Sequence, residues 1–132
     1  MLTLEDRLAI HELLALHGHL MDAGAFDRLD EIFTADIAYD VTDLGGGVLR
    51  GPAAIRDAGL ALGEANPLGH HTTNVIVTEG TDQQAHARSK GIGVLADGSV
   101  GSVVYEDEII RTPIGWRISY RKVVPRKKPL TY

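Results

Sequence analysis

The nine residues Gly69 to Val77, "GHHTTNVIV", divide the chain into two parts of different character. Two adjacent histidines lead into a run of β-branched residues, which reads as the entrance to a strand. Upstream of this point apolar residues recur at near-helical spacing. Downstream, four β-rich runs are separated by turn chemistry at "EGTD", "ADGS" and "TPIG". Helices followed by an antiparallel meander predict an α+β domain in which a curved sheet wraps its helices.

Working back from Gly69, Thr3 can cap a first helix whose opening turn carries Glu5 and Asp6. Leu4, Leu8, Leu13, Leu16, Leu20 and Met21 give it an apolar periodicity, and it should stop near Asp22 to Gly24. A second, short helix is expected over "FDRLDEIF", then a strand from Ile37 to Thr42 that carries Tyr39. "DLGGGVLRGP" reads as a turn and connector. Pro52 sits where a first helical residue belongs and opens a third helix through "AAIRDAGLALGEA", ending before Asn66 and Pro67. The expectation is three helices packed in a mixed, mostly antiparallel sheet. Arg126 to Tyr132 would be a mobile tail or an arm reaching a neighbouring subunit.

A chain of 132 residues, 44% hydrophobic and 23% charged, fits one domain over residues 1–132 with a real core. Its net charge of −5 argues against nucleic acid or an anionic membrane as partner. With no cysteine, disulfides, thiolate metal sites and cysteine nucleophiles are excluded. "MLTLEDRL" lacks the layout of a signal peptide, and no apolar run approaches the roughly 20 residues of a membrane span, so a cytoplasmic location is expected.

Several motif fragments fail on their context. "HELLA" from His11 has Ala15 where the zinc-protease helix needs its second histidine. "GIGVLA" runs into the turn "DG" instead of opening a helix, so it offers no helix N-terminus to a pyrophosphate. No Gly-Lys-Ser/Thr follows the triple glycine Gly45 to Gly47, and no serine sits in a nucleophile elbow.

Three titratable features remain: Asp22 at the end of the first helix, His70 and His71 at the strand entrance, and Arg121 in the last strand. A sheet cupped around helices brings such element ends to one opening. A carboxylate beside an imidazole fixes its tautomer and stabilises its protonated form, which makes a general base that works near neutral pH.

The stretches "LEDRLAIHELLALHGHLMDAGAFDRLDEIFTADIAYD", "RGPAAI", "HHTTNVIV" and "YEDEIIRTPIGWRISYRKV" together resemble the SnoaL-like branch of the nuclear-transport-factor-2-like (NTF2-like) cone fold. The resemblance covers nearly the whole chain. It specifies the superfamily well and the reaction poorly, because the fold hosts dehydratases, dehydrochlorinases, isomerases, cyclases and noncatalytic binding modules. It implies that Asp22 is the acid following the first helix, and that the catalytic histidine, four residues before Asn74, is His70. A polar residue five before the acid falls on His17, where relatives carry tyrosine or lysine, and the strand arginine five after Trp116 falls on Arg121. Tyr39 takes a position where relatives place an aromatic or hydroxyl group in the pocket. Tyr39, His71 and Asn74 are the expected substrate contacts.

Local geometry sets conditions on this assignment. His71 turns to the opposite face from His70 if the strand has already begun, which would make it structural. His17 and Asp22 are about 140° apart on an ideal helix, so both reach one pocket only if Asp22 lies at the helix end or the pocket is broad. Trp116, Ile118 and Tyr120 alternate on the face opposite Arg121, so Arg121 turns inward only through a bulge or strong curvature; otherwise it is a surface ion-pair partner. Asp107, in "YEDE", reads as structural. The expected protein is a lyase or isomerase needing no metal or cofactor, acting on a small hydrophobic, cyclic substrate. A polyketide cyclase using Asp22 directly as base and a noncatalytic binding module are the alternatives. A homodimer or homotrimer is expected, because an exposed sheet face in this fold normally pairs with another subunit.

Overall fold

The computed structural model describes residues 1–81 and 83–131. Helix α1 spans Leu4–Ala23 and starts where its capping chemistry dictates. The Thr3 hydroxyl accepts the Asp6 N–H at 3.0 Å, and the Asp6 carboxylate accepts the Thr3 N–H at 3.0 Å, so two otherwise orphaned donors are met reciprocally. Gly24, in the left-handed region at φ 64°, ends the helix by donating to the carbonyls of Leu20 and Met21. The buried stripe of α1 is Ile10, Leu13, Leu14, His17, Gly18 and Leu20, while Leu4 and Leu8 are exposed.

The helix count differs from expectation. Phe26–Glu31 is a 3-10 helix instead of a short α-helix, with no side-chain cap at Ala25 and only six residues over which to offset nucleation. Helix α2 covers Pro52–Leu62, opened by its N-terminal proline, and relaxes into a 3-10 turn over Gly63–Ala65. The connector "DLGGGVLRGP" also hides a strand.

Six strands form one sheet: β1 (Phe33–Asp40), β2 (Val48–Arg50), β3 (Gly69–Thr81), β4 (Gln84–Val94), β5 (Val100–Thr112) and β6 (Gly115–Pro125). Their order is β2-β1-β6-β5-β4-β3. The meander β3 to β6 is antiparallel throughout, as its turn signals predict, and β1 joins β6 in parallel. Asp82, within the turn signal "EGTD", and Tyr132, at the end of the tail, lie outside the described residues. Among the described residues no helix is long and apolar enough to cross a membrane.

Two bulges set which side chains face the helices. In β6, Ile118 pairs with Ile109 and Tyr120 with Glu108, leaving Ser119 as an extra residue. The alternation changes phase there, so Trp116 and Ile118 before the bulge and Arg121 and Val123 after it are all buried. In β3, Asn74 and Val75 together oppose Ser89, with Asn74 at φ 54°. On β4 the inward positions are Ala85, Ala87, Ser89 and Gly91, small residues over which the helix side packs closely, with the Tyr105 ring filling the space above Gly91. Helix α1 lies over this concave face and packs mainly on β3.

Candidate active site

The C-terminal end of the opening helix and the sheet entrance meet at Asp22 and His70. Asp22 lies in the last turn of α1, the negative end of the helix dipole, where a carboxylate is disfavoured unless donors compensate it. His70 supplies two. Its backbone N–H donates to Asp22 Oδ1 at 2.9 Å and Oδ2 at 3.2 Å, and its ring Nδ1 lies 2.6 Å from Oδ1. An ionised carboxylate only accepts, so Nδ1 carries the hydrogen and Nε2 is left as the basic nitrogen. The side chains are 20% and 30% exposed for His70 and Asp22 respectively, which leaves the pair within reach of solvent or a ligand.

Behind this pair the site is ringed and buried. The His17 ring lies 6.2 Å from that of His70, 6.3 Å from Tyr39, 6.0 Å from Tyr105 and 6.0 Å from Phe33, centre to centre. His17 is 1% exposed and neither of its ring nitrogens has a hydrogen-bond partner. Burial, then the charge of Arg121, hold its imidazole well below the ordinary histidine range, so it is neutral. The helix-end placement of Asp22 is what lets both residues serve one opening.

Arg121 is wholly buried, turned inward by the bulge at Ser119. It forms a bidentate pair with Asp107, Nε to Oδ1 at 2.7 Å and Nη2 to Oδ2 at 2.8 Å, and its guanidinium stacks 4.1 Å over the Tyr105 ring. Burial disfavours the guanidinium charge, but Asp107 more than offsets this and keeps it protonated. Nη1 is left without a partner. Tyr39 pairs with Arg121 in the β1–β6 register, and burial pushes its hydroxyl above the usual phenol range, so it is a neutral donor.

Asp22, His70, His17, Tyr39 and Arg121 therefore gather on the concave side of the sheet. His71 and Asn74 do not join them: His71 is exposed and faces away from His70, and Asn74 is exposed at the β3 bulge, its Oδ1 accepting the Thr73 hydroxyl at 2.6 Å. Asp107 and Tyr105 are part of the site's frame although sequence reasoning gives them no role in it. The signal for Asp107 was its place directly opposite Arg121, which needs the strand register to be visible. Among the described residues no group of three or more histidine, aspartate or glutamate side chains is placed to hold a metal ion.

Comparison with known proteins agrees with this architecture. The profile of a family described as the SnoaL-like domain matches residues 2–122. An uncharacterized protein of Mycobacterium tuberculosis is 31% identical over 123 residues, covering 89% of this chain and 84% of the relative. A structure from Novosphingobium aromaticivorans, provisionally described as an aromatic ring hydroxylase, is 30% identical with a TM-score of 0.81, covering 97% of this chain and 94% of that one. A second structure from the same organism, an NTF2-like protein with a cystatin-like fold, is 29% identical with a TM-score of 0.79, covering 96% and 86%.

Proposed function

The chain belongs to the SnoaL-like domain family, and from that membership and the contact between Asp22 and His70 we propose that it is a cofactor-independent lyase or isomerase acting on a small, hydrophobic, cyclic substrate. The single observation that carries this reading is the 2.6 Å contact of His70 Nδ1 with Asp22 Oδ1. It leaves Nε2 as base at a partly exposed position beside a cluster of buried rings.

His70 Nε2 removes a proton from carbon next to a carbonyl or to the carbon bearing a leaving group. Asp22 holds the tautomer and stabilises the imidazolium, a contribution of about a hundredfold to ten-thousandfold in rate. The free Nη1 of Arg121, the His17 ring and the Tyr39 hydroxyl meet negative charge developing on substrate oxygen. Elimination of water is the preferred form. The C–H electrons become the new double bond, the C–O bond breaks, and the departing hydroxide takes the proton from His70. Both Asp22 oxygens are turned to His70 donors, which favours His70 over Asp22 as the base and so disfavours the cyclase alternative. The functional form is a homodimer or homotrimer joined through the outer sheet face.

The experiment is a screen of cyclic hydroxyketones read by ultraviolet absorbance of the conjugated product. Turnover that disappears in His70→Ala supports the assignment. Unchanged turnover in His70→Ala refutes it, and binding of these compounds without turnover of any supports the noncatalytic module.

A further inference from the structure

We propose that Gly18 is a positioning residue for the Asp22–His70 pair. The proposal rests on the reading of His70 as base, but its structural content can be tested without turnover. Gly18 is buried in the interior of α1, five residues before its last residue, Ala23, where alanine would be the better helix former. A Cβ at this position would run into the backbone carbonyl oxygen of His70 and would lie 3.4 Å from its carbonyl carbon. The obstructing atom is main chain, so no side-chain rotation relieves the clash.

Gly18 and Asp22 are four residues apart and share one helical face. The same face therefore does two things to the first residues of β3: its bare glycine lets them settle onto the helix, and its carboxylate one turn later grips the N–H and the ring of His70. Regaining ordinary van der Waals separation in the presence of a methyl group requires a retreat of the strand by about 1 Å. A retreat of that size takes the 2.6 Å Asp22–His70 contact beyond the roughly 3.2 Å limit of a good N–H···O bond. Misplacement of a reacting group by about 1 Å costs on the order of a hundredfold in rate. The groups facing substrate oxygen, Arg121, His17 and Tyr39, are untouched, so the loss falls on kcat and not on KM.

The test uses the full chain with ring-nitrogen-labelled histidine. In the wild type the His70 Nδ1–H gives a downfield, exchange-protected proton resonance, and Asp22→Asn removes it. Gly18→Ala is expected to fold, with unchanged far-ultraviolet circular dichroism and a cooperative melt, yet to lose the resonance. Gly59→Ala is the control, a buried helical glycine of α2 whose Cβ would meet the Phe26 ring at 2.8 Å, and it should keep the resonance. The proposal is overturned if Gly18→Ala retains the signal. It is equally overturned if Gly18→Ala does not fold, because the close approach would then serve the whole structure and not the pair. Absence of turnover in the wild type would count against the enzymatic reading while leaving the resonance result to decide the role of Gly18.

Discussion

Replacing His17 by leucine should make the protein more stable and less active. The imidazole is 1% exposed and both ring nitrogens lack partners, so the folded state carries a donor and an acceptor that gave up water for nothing. Each such group costs about 1–3 kcal/mol. Leucine has similar bulk, no polar atoms, and neighbours that include Leu14 in the buried face of α1. A net stabilisation of about 1–3 kcal/mol follows, worth roughly 3–10 °C in Tm for a domain of this size. The effect grows on acidification. Burial holds the folded-state pKa of His17 well below 6.5, so the unfolded chain binds the extra proton and the wild type loses stability as pH drops through that unfolded value, at up to about 1.4 kcal/mol per pH unit. Leucine has no proton to bind, so the gap between variant and wild type should widen from pH 7 to pH 5. Urea unfolding at several pH values, with turnover in parallel, measures all of this. A His17→Leu protein that melts lower than the wild type at pH 7, or a gap that stays flat with pH, refutes the view of His17 as an unsatisfied neutral base kept for its site.

The remaining predictions concern the other polar pairs. Asp22→Asn should lower kcat by about a hundredfold or more while leaving the fold intact, measured in the ultraviolet assay. Arg121→Met should destabilise by about 3–5 kcal/mol in urea titrations, because it strands the buried Asp107 carboxylate, and Arg121→Met with Asp107→Leu should recover most of that loss; additive losses would contradict the pairing. Arg111, the Thr3 N–H and Trp116 hold the Asp6 carboxyl well below the usual carboxylate range. Its folded pKa is depressed, so its contribution is present above the unfolded value near 3.8 and is lost as pH falls below it. Thermal melts from pH 5 to pH 2 should fall less steeply for Asp6→Asn than for the wild type.

Much of the fold was written locally. The Thr3 to Asp6 capping box, Gly24 and Pro52 set helix boundaries by chemistry within a few residues, and the turn signals between His70 and Trp116 delimit strands β3 to β6. Elements whose existence depends on distant neighbours were harder to read. Strand β2 is three residues long, too short for any alternation to register, and it forms because Ala38, Tyr39 and Asp40 offer it a ladder. The inward turn of Arg121 could be stated only as a condition, since the bulge at Ser119 is decided by pairing with Glu108 and Ile109. The positions of Asp22 and His70 were legible from the resemblance. The orphaned nitrogens of His17 and the bare backbone contact at Gly18 were not, because each depends on what lies across a helix-to-sheet gap that no spacing encodes.

The sheet is not closed, so each of its two outermost strands has one side without a neighbouring strand. One border, β2, is too brief to template much. The other, β3, is 13 residues long, but Asp22 accepts its His70 N–H, Arg7 donates to its Val77 carbonyl, and the left-handed Asn74 breaks its ladder midway. The kink that shifts pairing with β4 thus doubles as a guard against fibre growth, keeping a long border from offering an unbroken row of acceptors and donors to a copy of itself.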